Sequence, residues 1–302
     1  MKNIIFELFA GIDTLEITSP SFVNGEYPFI THDSSRRITK GDGEEKYRYR
    51  FNPNNTLIDV STFEGYKAAF DYMISTSQVK SPVKTRIDYC FDTYKGNYTD
   101  TFKRDKLLLL LIAIQYDLDN RYESIDMLTA EKKTLRVANQ RIEVEAYNKA
   151  LQEPHRNIKS RLEFRSKKLY DDDAEESKEL RELNKWFIRI TNATTSTNFD
   201  RLVHELNIHL MRRYAEEMSK RSIITSTEFV TKYADFIFST RQLVDLYRRM
   251  GYQNPNSQAS KYKKSHKIEF FSLNDVRKFA KAIRKSAARF LEADDVKLSR
   301  IG

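Results

Sequence analysis

A few residue types in this chain fall at spacings that suit phosphate chemistry. From Val83 to Phe91 the sequence VKTRIDYCF alternates, with Ile87, Tyr89 and Phe91 to one side and Arg86, Asp88, Cys90 and Asp92 to the other. A second alternating run, Ser160 to Arg165, puts Leu162 and Phe164 on one face and Arg161, Glu163 and Arg165 on the opposite one. Asp88, Asp92 and Glu163 thus offer carboxylates to one sheet face, and two or three such oxygens can hold Mg²⁺ or Mn²⁺. The same carboxylates beside arginines can equally form salt bridges across a strand face. Tyr147, with Lys149 two residues on, supplies a hydroxyl whose usual pKa near ~10 makes it a poor nucleophile until a cation or base helps remove its proton. With 17 tyrosines in the chain, filling a core is the competing role for any one of them.

These residues need elements to position them. Thr134 to Ala138 reads as a strand, Asn139-Gln140 as a turn, and Arg141 to Tyr147 as a second strand with Ile142, Val144 and Ala146 on one face. With Ser160 to Arg165 this makes three strands in a row. Upstream, Ile4 to Ile17 and Tyr47 to Phe51 read as strands, and Asn52-Pro53-Asn54-Asn55 as a loop. Thr62 to Thr76 has helical spacing in Phe63, Tyr66, Phe70 and Met73, and Thr101 to Tyr116 is a second helix. The order predicts an α+β fold with a mostly antiparallel sheet rather than a repeating βαβ pattern.

After the acidic run Tyr170 to Glu176 the pattern turns helical, with segments near 174–191, 198–220, 226–235, 240–250 and 273–292. We place a boundary there: residues 1–170 as a sheet-containing domain and 171–302 as a basic helical domain. The charge supports the division. Residues 201–302 hold 21 Lys and Arg against 11 Asp and Glu, whereas residues 1–200 hold 31 against 32, so the net charge of +9 resides in the C-terminal third. That asymmetry points to a polyanion, nucleic acid before membrane. Lys261, Lys263, Lys264 and Lys267 interleave with Tyr262 and His266, and Arg277 follows in a helix begun by a capping box of Ser272 and Asp275. A winged or helix-turn-helix reader lying on phosphates fits this stretch, with a small strand expected from Ile268 to Phe271; a solvated basic face fits it as well.

Length and composition set limits. A chain of 302 residues with 40% hydrophobic and 31% charged residues can bury a large core. The longest apolar run, Leu107 to Ile114, is too short to span a bilayer and reads as a buried helix. Cys90 is the single cysteine, so no intrachain disulfide forms, and with no signal-like N-terminus a cytoplasmic location is expected. The five histidines include no His-hydrophobic-His pair, and there is no GxxxxGK[ST], GxGxxG, CxxC or HExxH motif.

Taken in order, TRIDYCFD (85–92), RIEVEAYNK (141–149) and SRLEFRSKKL (160–169) resemble the three core motifs of rolling-circle replication initiators of the Rep_trans plasmid type. The filamentous-phage replication endonuclease and some relaxases are similar in layout. IDTLEITSP (12–20) and RFNPNN (50–55) resemble upstream pieces of the same family. The resemblance spans roughly residues 10–170. It implies a metal-dependent endonuclease that nicks one DNA strand at an origin, becomes linked to the 5′ phosphate through tyrosine and leaves a 3′-OH primer. By motif it implies Tyr147 as nucleophile, Asp88 and Glu163, with Asp92, as ligands of Mg²⁺ or Mn²⁺, and Arg86, Arg161 and Lys149 around the scissile phosphate. It further implies duplex and single-stranded DNA as partners, together with a host helicase and a second copy of the chain. Two other readings stand beside it: a relaxase nicking a transfer origin, and a non-catalytic DNA-binding replication regulator that needs neither metal nor Tyr147.

Overall fold

The computed structural model describes residues 8–31, 36–39, 45–94, 98–120, 134–149, 158–169, 177–220, 222, 225–266, 270 and 272–291. Seven antiparallel strands form one sheet: β1 (Leu8–Ser19), β2 (Arg36–Thr39), β3 (Glu45–Phe51), β4 (Val83–Thr93), β5 (Thr134–Ala138), β6 (Ile142–Tyr147) and β7 (Ser160–Ser166), in the spatial order β2-β3-β1-β4-β7-β6-β5. The three consecutive strands expected from alternation form one half of it. Their tight turn is made by Asn139, whose side-chain oxygen accepts from the backbone N–H of Arg141 (2.8 Å) and Ile142 (2.9 Å). An Asn in this role competes well with strand pairing and ends β5. β2, whose sequence gave no strand signal, adds an edge.

Because side chains alternate along each strand, the sheet has one apolar face, formed by Ile87, Tyr89 and Phe91 of β4, Leu162 and Phe164 of β7, and Val144 and Ala146 of β6, all buried. Helices α1 (Phe63–Ser77), α2 (Tyr98–Gln115), α3 (Lys178–Ala193) and α8 (Leu273–Phe290) contribute to the core against it. The run 107–114 of α2 is entirely buried, as its sequence predicted. The chain's one tryptophan, Trp186 of α3, lies 4.9 Å from Phe164 ring to ring, and its Nε1–H donates to Ser166 Oγ at 3.0 Å. Glu179, at the start of α3, accepts from Tyr66 Oη of α1 (3.0 Å) and pairs with Lys84 of β4, while its backbone carbonyl accepts from Tyr89. From the far end of the chain, Ser286 and Arg289 of α8 donate to the Leu8 carbonyl of β1 at 2.8 and 3.1 Å. Elements on both sides of position 170 therefore share one apolar core.

The remaining helices are α4 (Ser196–Ser219), α5 (Ser226–Lys232), α6 (Thr240–Arg249) and α7 (Pro255–His266). Capping boxes start α5 (Thr225 with Glu228) and α8 (Ser272 with Asp275), the second as expected. α7 is a helix where the sequence suggested only a basic segment. Asn254-Pro255 looks like a loop signal, but proline at the first helical position costs nothing because its missing N–H would have no intrahelical partner. Residues 268, 269 and 271 of the expected small strand, the acidic run 170–176 and residues 121–127 lie outside the described residues. Among the described residues no helix is long and apolar enough to cross a membrane.

Candidate active site on the polar sheet face

The face opposite the helices carries a ladder of charged side chains three strands wide. Strand register sets its rows: Asp92 of β4, Arg161 of β7 and Tyr147 of β6; then Cys90, Glu163 and Glu145; then Asp88, Arg165 and Glu143. The first and third rows mix acid with base, the middle row is two glutamates and a thiol, and neighbouring rows interlock.

Arg161 organises the first row. Its Nε and Nη2 donate to the two oxygens of Asp92 at 2.6 and 2.7 Å, a bidentate pair, and its Nη1 donates to Asp13. Asp13 is delivered by an irregularity in β1: the register against β4 shifts between Ile12 and Thr14, and a bulge of this kind re-aims a side chain. Tyr147, at the end of β6, donates its hydroxyl to Glu163 Oε1, and Arg161 Nη1 lies 3.8 Å from that same oxygen. Lys149, just past the strand, holds its ammonium 5.7 Å from the centre of the Tyr147 ring. The tyrosine, glutamate, arginine and lysine named by the motifs are thus brought together.

Arg165 organises the rest. It reaches Glu143, Glu163 (2.5 Å), Glu145 (2.7 Å) and, at 3.4 Å, Asp88. Glu143 also accepts from Arg136 at 2.7 Å and Lys167 at 3.0 Å. Arg86 holds both oxygens of Asp88, at 2.7 and 2.6 Å. Arg86 and Asp92 stand six positions apart on β4, about 20 Å along a strand. The structure therefore puts Arg86 at the end of the ladder away from Tyr147.

Burial and charge set the ionisation of these groups. Burial, and then the adjacent Glu163 charge, push the Tyr147 hydroxyl well above its ordinary value, with Arg161 opposing. Burial pushes the Cys90 thiol up in the same way, so it sits protonated. At Asp13 burial is outweighed by Arg161 and Lys149, which hold its carboxyl below the usual range. At Asp88 burial wins over Arg86 and Arg165, and the carboxyl is raised. Glu143 is desolvated too, but Arg136, Lys167 and Arg165 together bring it down to about 2.

The three carboxylates expected to hold a divalent ion do not converge in this arrangement. Asp88 and Asp92 are separated by about 13 Å along β4, and Glu163 lies opposite Cys90 between them. Their oxygens are directed at Arg86, Arg161, Arg165 and Tyr147, whereas Mg²⁺ needs oxygens at about 2.1 Å in octahedral array. Among the described residues no group of three or more His, Cys, Asp or Glu is placed to hold a metal ion. These residues do not fit an ion as they stand, and the chemistry assigned below rests on the side chains.

The basic residues of the C-terminal third separate. Lys261 and Lys264 are exposed on α7. Lys263 turns back, donating to Thr240 Oγ1 at 3.1 Å and lying 5.4 Å from the Phe270 ring centre. Arg277 is on α8, donating to the Thr194 carbonyl at 3.0 Å beside a cavity of about 400 Å³ between α3 and α8. Lys267 lies outside the described residues. The sequence reading put Glu143 and Glu145 on the polar face with Tyr147 without assigning them a role, and it missed Asp13. The alternation of β6 already aligned both glutamates with Tyr147, but a bulge leaves no mark that would single out Asp13.

Neither a protein-family model nor a curated protein matches the chain. Among solved structures it is similar to a rolling circle replication initiator protein from Geobacillus stearothermophilus, over 53% of this chain and 75% of that one, with 11% sequence identity and a TM-score of 0.25.

Proposed function

We propose that the protein is a replication initiator that nicks one strand of DNA and holds the 5′ end on Tyr147. The observation that carries this reading is the hydrogen bond from Tyr147 to Glu163, with Arg161 and Lys149 beside it. A phenol held in a low-dielectric site gives up its proton only to a base already in contact with it, and Glu163 Oε1 is that base. In the proposed step Tyr147 Oη attacks phosphorus and its proton passes to Glu163. The Tyr O–P bond forms, the P–O3′ bond breaks, and the proton moves from Glu163 to the leaving oxygen to give a 3′-OH. Arg161 and Lys149 oppose the charge that builds on the pentacovalent phosphorus. The phosphotyrosine conserves the phosphodiester bond energy, so the reverse attack rejoins the strand. Resemblance in the order RIDYCFD, EAYNK and RLEFR selects the same residues. The basic helical third then serves to hold duplex DNA near the sheet face.

A second reading is favoured by one specific observation: each expected catalytic carboxylate is already matched to an arginine, as in a structural ion-pair network. On that reading the protein binds DNA without cutting it. A denaturing-gel adduct assay separates the two. Wild type, Tyr147→Phe and Glu163→Gln would be incubated with labelled single-stranded and hairpin oligonucleotides from the protein's own replicon, with Mn²⁺ and with EDTA. We expect an adduct in wild type, none in Tyr147→Phe and at least a 100-fold slower one in Glu163→Gln, in the range of a lost general base. Tight binding with no adduct from wild type under either condition would establish the non-cutting reading. An adduct surviving in Tyr147→Phe would show that another residue is the nucleophile.

A further inference from the structure

Helices α5, α6 and α7 pack together, with Phe229, Val230, Leu243, Leu246, Tyr247, Ala259 and Tyr262 buried as part of the common core. Tyr262 anchors α7: its hydroxyl donates to Thr231 Oγ1 at 3.2 Å, its ring lies 6.5 Å from Tyr247, and His266 stacks on it at 4.1 Å. The turn between α6 and α7 is fixed just as firmly. Gly251 has φ +87°, its N–H donates to the Arg248 carbonyl at 3.0 Å, and the next N–H, of Tyr252, donates to Tyr247 at 3.1 Å. This is a Schellman ending, closed by the Tyr247–Tyr252 ring contact at 5.2 Å.

That packing determines which side of α7 is left outward. With Ala259 and Tyr262 inside, the opposite face presents Ser257, Ser260, Lys261 and Lys264, at i, i+3, i+4 and i+7, all exposed. Gln253 and Asn254 of the turn are exposed beside them, and together with Ser257 and Lys261 they line an open polar cleft of about 630 Å³. The face is graded. The turn before the helix and its first residues carry neutral amides and hydroxyls, which both donate and accept; Lys261 and Lys264 follow. From Thr240 to Leu291 the chain has 13 Lys and Arg against 3 Asp and Glu. Arg241 and Arg248 of α6 point their side chains largely into solvent.

We infer that α7 is a recognition helix that enters the major groove of duplex DNA, reading bases with Gln253, Asn254, Ser257 and Lys261 while Lys264 and the α6 arginines hold phosphates. The dimensions agree: an α-helix is about 10–12 Å across and the major groove of B-DNA about 12 Å wide. Two helical turns advance about 11 Å, or roughly three base pairs at 3.4 Å each. Amides pair bidentately with adenine, lysine with guanine O6 and N7, and serine with either. The deep, narrow major groove of an A-form RNA duplex does not admit a helix, which makes DNA the partner. The inference shares with the proposed function only its DNA partner and is independent of cleavage.

The test uses the full chain carrying Tyr147→Phe, so that no site is consumed. Binding selection from a randomised DNA duplex library should enrich a short common sequence. Ser257→Ala with Lys261→Ala should cut the preference for that sequence over random duplex by roughly 10- to 100-fold. Lys264→Ala should instead weaken both duplexes equally and lower the salt slope by about 1. No enriched sequence, an unchanged preference in the double variant, or tighter binding to an RNA duplex would overturn the assignment. Circular dichroism of each variant keeps misfolding apart from lost contacts. Sequence-specific binding without a wild-type adduct would defeat the nicking reading alone; an adduct without specificity would defeat this one alone.

Discussion

At the scale of single residues the polar face is held by competition between burial and pairing. Glu143 shows the sign most clearly. Its carboxyl falls from 4.5 to about 2 in the fold because the pull of Arg136, Lys167 and Arg165 exceeds the cost of burial. A depressed carboxylate contributes stability that is present above pH 4.5 and is lost as pH falls from there toward 2. Glu143→Gln removes that contribution and leaves Arg165 short of a partner, so the variant should be less stable at neutral pH by about 3 kcal/mol. Urea unfolding at pH 7, 5, 4 and 3 should show the gap between wild type and variant closing below pH 4.5. A gap that stays constant across that range would mean the ladder is not electrostatic in origin. Tyr147 belongs to the same network but at its edge. Burial and the adjacent Glu163 charge, to which its hydroxyl donates, keep the phenol neutral.

At the scale of elements, alternation and turn chemistry made most of the architecture legible. β4, β6 and β7 lie where period-two runs ended at Asn, Pro and charged loops, and the polar and apolar faces read from TRIDYCFD and SRLEFR are those observed. That Tyr147, Glu163, Arg161 and Lys149 come together on the polar side was therefore legible in the sequence. Arg86 was not placeable, because alternation gives its face and not its distance from Tyr147. The bulge that brings Asp13 to Arg161 depends on β1–β4 register, a long-range property with no local signature. α7 was missed because Asn254-Pro255 reads as a loop, although proline also suits a first helical turn. Gly251, by contrast, does mark its turn. Nothing lies within 4 Å of where its Cβ would be, so a substitution there is charged only for backbone conformation. Gly251→Ala should cost about 1–2 kcal/mol, the penalty of a left-handed residue that has a Cβ. Urea midpoints compared with an exposed control, Ser260→Ala, would check it; equal stability would mean that α6 and α7 do not depend on this ending.

For the whole molecule, the charge and the core divide the chain differently. The turn to a helical pattern near residue 170 suggested two domains, and the basic excess of residues 201–302 supported the division. The core ignores that line. α3 seals the apolar sheet face through Trp186, and α8 closes on β1 through Ser286 and Arg289, so the C-terminal part covers surface that the N-terminal part exposes when alone. Burying one large aromatic side chain contributes about 1.5–3 kcal/mol, and Trp186, Phe187, Phe279 and Phe290 are all buried. Unfolding should therefore be one cooperative event. Trp186 fluorescence reports the α3–sheet contact, and far-ultraviolet circular dichroism, at 53 helical residues in α4 to α7 plus the sheet, reports the rest. The two should give coincident urea transitions. A fragment ending at residue 170 should expose the Phe164 and Phe91 face and bind a hydrophobic dye strongly, while the full chain does not. Two separated transitions, or a well-packed fragment, would show that position 170 is a folding boundary and that the helices beyond it are carried by the sheet rather than built into it.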